Sequence, residues 1–214
     1  MAAEMGVAAS GAQRGVRRPH SALGSSQRYN PVSRREDPLM NRPEPTEYAD
    51  YYANYISKVP GSDVLSVLES QRLQMLQLFA GRSERDGSFR YAPGKWTVKE
   101  VLGHITDTER IFTYRALRFA RGDQTPLPGF EQDDYVRSGA FGARTLAELA
   151  EEFGAVRSAS ISLFRSFKDD VWPRRGIANE KEVTVRALAF IIAGHQMHHR
   201  IILEERYFPA IPRA

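Results

Sequence analysis

The chain has 214 residues, 42% hydrophobic and 26% charged, enough for one globular domain with a buried core. It contains no cysteine, which excludes disulfides and thiolate zinc sites; any nucleophile must be a hydroxyl, a carboxylate, an activated water or a group carried by a substrate. The net charge of +4 sits in residues 1–42, where seven Arg face Glu4, Glu36 and Asp37, while residues 43–214 balance 23 basic against 23 acidic side chains, which argues against a nucleic-acid platform on the folded body.

Residues 1–42 are rich in Ala, Gly, Ser, Arg and Pro without a period of either helix or strand, and are expected to be a disordered basic tail. A targeting peptide, a functional basic arm and a start-site extension ahead of Met40 all fit this composition; an extension or inert tail is the favoured reading. The domain is expected over residues 43–208, with 209–214 as a short C-terminal tail. No apolar run reaches the roughly 18 residues of a membrane span, so no membrane association is expected, and the reducing cytoplasm is the expected location.

The domain reads as helical throughout. "TEYADYYANYIS" is a short aromatic helix or turn ended by Pro60-Gly61. "SDVLSVLESQRLQMLQLFAG" opens on Ser62 or Asp63 and stops at Gly81. The next helix opens with Thr97 and Glu100 in capping-box spacing and ends at Gly122; Thr145 and Glu148 repeat that device before "TLAELAEEFGAVRSASISLFRSFK". The last opens at Thr184 and runs toward Pro209. Residues 123–144 carry no clear helix and are either a crossover or a lid, with Asp133, Asp134 and Tyr135 as contacts; no convincing strand pattern is present. Four long helices imply an all-α four-helix bundle.

The histidines concentrate the chemistry. Turning about 100° per residue places His195 and His199 on the centreline of the apolar stripe formed by Leu188, Ile192, Ile202 and Leu203. His198 lies at the edge of that stripe, and His104 flanks the apolar face of the second long helix. Two imidazoles at i, i+4 plus a third from a facing helix can bind a divalent ion, each ring offering one lone pair. Burying three rings otherwise requires separate partners for every nitrogen. Histidines satisfied locally are the bland alternative. Gln196 stands where a zincin has Glu, which disfavours metalloprotease chemistry. Gly103 and Gly194, each preceding a ligand candidate, fit close helix approach or tight packing.

"YAPGKWTVKEVLGHITDTE" followed by "TVRALAFIIAGHQMHHRIILEERY" resembles the DinB-like superfamily, which includes damage-inducible and bacillithiol-transferase-like proteins. The resemblance spans about residues 43–208 and rests on Trp96, the His in the second helix and H-x-x-x-H in the fourth. It implies an up-up-down-down bundle in which His104, His195 and His199 bind a divalent metal, with His198 in a supporting or surface position. It also implies, more loosely, a thiol-dependent transferase or isomerase using bacillithiol, mycothiol or glutathione. Three neutral imidazoles suit Zn, Ni, Mn or Fe alike.

Three functional classes remain open from sequence. The first is a metal-dependent enzyme, a thiol transferase or a hydrolase acting on a small molecule, with Glu109 and Asp134 as candidate bases. The second is a stress-response or binding module with a structural metal, and the third an interaction bundle without metal. Phe190, Met197 and Ile201 give the last helix a second apolar side, to be covered by the N-terminal aromatic segment or by the partner in a homodimer.

Overall fold

The computed structural model describes residues 41–211, so the expectation for the tail falls, up to residue 40, outside the described residues. Four long helices carry the fold: α2 (Val64–Phe79), α4 (Val98–Ala120), α6 (Leu146–Arg165) and α7 (Val185–Ile202). Their starts are fixed as the sequence suggests. Asp63 accepts from the Ser66 amide, Thr97 and Thr145 form capping boxes with Glu100 and Glu148, and Thr184 accepts from the Ala187 amide. Each such cap contributes about 1 kcal/mol. Gly81 and Gly122 follow α2 and α4 at φ 76° and 78°, the left-handed conformation that closes a helix without a Cβ penalty. A turn of π-helix, Leu203–Tyr207, extends α7.

The bundle is the expected one, but the helix directions differ from the expected up-up-down-down order. One apolar cluster joins the start of α2 (Leu65, Leu68) to the ends of α4 (Phe119) and α6 (Phe164) and the start of α7 (Leu188). A second joins the end of α2 (Phe79) to the starts of α4 (Val98) and α6 (Leu146) and to Tyr207 after α7. The order is therefore up-down-down-up. Because α4 and α6 run parallel, only the chain between them must cross the length of the bundle.

That crossover is more structured than the sequence suggests. It contains α5 (Gln132–Ser138) and a 3-10 turn at Phe141–Ala143. A hairpin of β1 (Arg175–Ala178) and β2 (Lys181–Thr184) precedes α7, a second departure from the all-helical reading. Its two-residue turn, Asn179-Glu180, has φ 50° and 62°, both on the left-handed side as a type I′ turn requires. The crossover lies along this hairpin through a bridge between Leu127 and Ala178.

The N-terminal aromatic segment ends in α1 (Ala53–Ile56), which packs on α7. Glu47 anchors the segment, accepting from the Thr184 hydroxyl at 2.7 Å and from Arg186 Nε at 3.1 Å. Arg42 donates to the carbonyls of Ile56, Val59 and Gly61 and lies over the Phe190 ring. Phe190 is thus covered from within the chain, whereas Ile201 stays 38% exposed. Among the described residues no helix is long and apolar enough to cross a membrane.

Between the two apolar clusters lies a polar layer to which every long helix contributes. Arg157 of α6 donates to Glu109 of α4 at 2.8 Å and to Gln71 of α2 at 3.0 Å. Gln71 in turn donates to the Ala193 carbonyl of α7 at 2.9 Å. All three side chains are buried. The histidines of α4 and α7 occupy this same level.

Candidate metal centre

His104 enters from α4 and His195 and His199 from successive turns of α7. Their Nε2 atoms converge: His104 to His195 is 3.0 Å and His199 to His195 is 3.1 Å. Three nitrogens bound at about 2.05 Å to one ion are about 2.9 Å apart in octahedral and about 3.3 Å apart in tetrahedral geometry. The observed spacings fall between these limits, so the rings present fit a first-row divalent ion. No other group of three or more such side chains among the described residues is arranged to hold one.

The protonation state suits that role. Burial pushes His104 down to about 4, against a smaller opposing pull from the Asp133 carboxylate. Burial, then the neighbouring imidazoles, holds His195 and His199 well below the usual histidine range. All three are neutral at pH 7, and a neutral ring keeps the lone pair a metal needs. The Thr108 hydroxyl lies 3.5 Å from His104 Nδ1, on the far side of the ring from the convergence point. A proton on Nδ1 leaves Nε2 free as acceptor.

Aromatic rings brace the site. Trp96 lies against His104 with centroids 4.7 Å apart, and the Tyr55 ring meets the edges of His195 and His198 at 5.5 and 5.4 Å. Gly194 explains the tight seat of Tyr55: a Cβ there would lie 2.0 Å from the Tyr55 carbonyl oxygen. At Gly103 a Cβ would lie 2.4 Å from the Phe141 ring. Both glycines therefore serve close approach, but of the covering segments rather than of the two ligand helices to each other.

Two clefts reach the triad. One of about 280 Å³ has His104, His195, Tyr55, Phe112, Arg115 and Phe130 in its wall. Another, of about 310 Å³, is bordered by His199, Trp96 and Asp133. The other singled-out residues lie elsewhere. Glu109 is buried in the ion pair with Arg157, away from both clefts. Asp134 pairs with Arg137 at 2.8 Å on the exposed face of α5, and its neighbour Asp133 is the one that faces the triad. His198 packs edge-on against His199, centroids 5.1 Å apart, and does not join the convergence. Arg115 and Arg157 were not singled out from sequence. Their signal was a basic residue inside an apolar helical stripe, where a solvated face is ordinarily assumed.

Residues 68–203 match the sequence model of the DinB superfamily. The chain belongs to the DinB superfamily. Among solved structures, this DinB-superfamily chain resembles YfiT from Bacillus subtilis, titled a probable metal-dependent hydrolase with an unusual four-helix bundle topology. The TM-score is 0.57 over 80% of this chain and 91% of that one, at 14% identity, a likeness of fold. No curated protein sequence matches the chain.

Proposed function

We propose that the protein is a metal-dependent enzyme that activates the thiol of a small cosubstrate for transfer to a second small molecule. The observation that supports this best is the convergence of three neutral Nε2 atoms beside two clefts, which leaves the opposite side of the site for a ligand. A divalent ion held by His104, His195 and His199 would supply a Lewis acid that lowers the pKa of a coordinated thiol or water. The chain's own residues do the rest. The buried rings present lone pairs without a competing proton, and Trp96 and Tyr55 restrict water around them. Asp133, beside His199 in the second cleft, is placed to accept the released proton. The lack of cysteine requires the thiol to come from outside the chain.

Hydrolysis is the second reading, favoured by the fold shared with YfiT and by the same capacity to activate water. The two separate in one assay. Metal-loaded protein is incubated with electrophilic substrates with and without bacillithiol, mycothiol or glutathione, and products are resolved by mass spectrometry. Thiol adducts that need both metal and thiol support transfer; thiol-independent hydrolysis products replace it with the second reading. The homodimer expected from sequence retains only Met197 and Ile201 of its proposed face, beside Val67 in a groove between α2 and α7. Light scattering on the eluted protein decides it.

A further inference from the structure

The cleft beside His104 contains a buried guanidinium that forms no ion pair among the described residues. Arg115 lies on the same side of α4 as His104 and Thr108 and is only 4% exposed. Its Nη2 donates to the Pro128 carbonyl at 2.8 Å, and its guanidinium carbon is 5.3 Å from the Phe112 ring centroid. The Tyr51 and Tyr52 phenols lie beside it. Among the described residues no carboxylate forms an ion pair with it. The one other buried guanidinium among the described residues does meet one: Arg157 has Glu109. A buried charge is ordinarily paired. Here no carboxylate of the described residues reaches the guanidinium, which stands on the wall of a cleft that also touches two members of the triad.

We propose that Arg115 is a specificity residue that binds a carboxylate on the small molecule occupying this cleft. The inference rests on the reading of the triad as a reaction centre and adds the class of molecule that reaches it. Helical side chains lean toward the helix N-terminus, so Arg115 reaches back over Phe112 toward His104. Eight residues of helix from Phe112 to His104 rise on the order of 10 Å, which sets the distance between carboxylate and reacting atom. The ligand is thus an elongated monoanion with an apolar middle, matching Phe112 and Phe130. One guanidinium with the Glu131 carboxylate on the same wall suits a singly charged carboxylate better than a dianionic phosphate.

The test is calorimetric titration of the full chain with 5-phenylpentanoate, 5-phenylpentanamide and 4-phenylbutyl phosphate, with metal content measured on the same samples. Wild type is expected to bind the acid about tenfold more tightly than the amide. Raising salt from roughly 0.05 to 0.5 M should weaken the acid and spare the amide. Arg115→Gln should abolish the preference, and Arg115→Lys should restore part of it. If Arg115 only holds Pro128, Arg115→Gln weakens acid and amide equally, and the proposal fails. It also fails if wild type binds neither, binds both alike, or prefers the phosphate. Should Arg115→Gln not fold, the acid-to-amide ratio and its salt dependence in wild type still decide. An acid preference in protein that takes up no metal supports the anion site and sinks only the metal-enzyme reading; bound metal without that preference does the reverse.

Discussion

Replacing Arg157 alone should unfold the bundle more readily than replacing it together with Glu109. Arg157 is fully buried and donates to Glu109 at 2.8 Å and Gln71 at 3.0 Å. Arg157→Met leaves the 2%-exposed Glu109 side chain without its cation. Removing one partner of a buried pair costs about 3–5 kcal/mol, a large share of the about 5–15 kcal/mol that holds a domain together. At about 2–4 °C per kcal/mol for a domain of this size, Tm should fall by about 6–20 °C. The pair itself is imperfectly satisfied: Glu109 Oε2 and Arg157 Nη2 have no hydrogen-bond partner. Replacing both with apolar groups therefore removes two orphaned atoms along with the pair. The remaining loss in Glu109→Leu/Arg157→Met is the Nη1 donor shared by Gln71 Oε1 and, at 3.3 Å, the Leu68 carbonyl, about 1–3 kcal/mol. The double variant should thus recover about 2 kcal/mol relative to Arg157→Met. Urea denaturation of wild type, both single variants and the double variant measures this as a thermodynamic cycle. A double variant no more stable than Arg157→Met, or a single variant within about 1 kcal/mol of wild type, would show that the Glu109 charge is not stranded by loss of Arg157.

Three further outcomes follow from local geometry. Gly194→Ala would set a Cβ 2.0 Å from the Tyr55 carbonyl, a backbone atom that cannot swing aside. Overpacking costs about 1–3 kcal/mol against about 1 kcal/mol of helix propensity gained, so the net effect is destabilising by up to about 2 kcal/mol, with loss of metal affinity as Tyr55 leaves His195; equal Tm and affinity would contradict this. The metal-free protein should lose stability on acidification, because burial depresses His104 to about 4 and holds His195 and His199 well below their ordinary range. That contribution is complete above an unfolded-state pKa of about 6.5 and declines as pH falls toward 4, so Tm should drop between pH 6.5 and 4.5, and a flat profile would be inconsistent. Glu180→Gly relieves a non-glycine residue at φ 62° in the hairpin turn and should stabilise by about 0.5–1 kcal/mol, checked by thermal denaturation.

Much of the fold was legible because its signals are local. Thr97 with Glu100, Thr145 with Glu148, and Gly81 and Gly122 mark helix ends by chemistry confined to a single turn. The placement of His195 and His199 one turn apart on an apolar stripe is likewise local. What escaped depends on distant parts of the chain. The up-down-down-up order is set by which end of the bundle each connection closes, and no residue encodes it. The hairpin escaped because Asn179-Glu180 lacks the glycine of the commonest type I′ turns and its strands are only four residues long. Helix α5 has seven residues with Val136 alone buried, too little for a period to show. The choice of Asp133 over Asp134 depends on the roll of that short helix against α4. Arg115 and Arg157 acquire meaning only once facing helices supply, or fail to supply, a carboxylate.

Whether His104, His195 and His199 hold one divalent ion is decided by elemental analysis. Untagged protein is analysed by inductively coupled plasma mass spectrometry beside His195→Ala, each as purified and after reconstitution with Zn, Ni, Mn and Fe. His195 bridges the other two rings at 3.0 and 3.1 Å, so its loss dismantles the convergence. About one metal per wild-type chain is expected, and near none in the variant. A wild type without metal after reconstitution, or a variant that keeps it, would show that the three rings do not hold the ion.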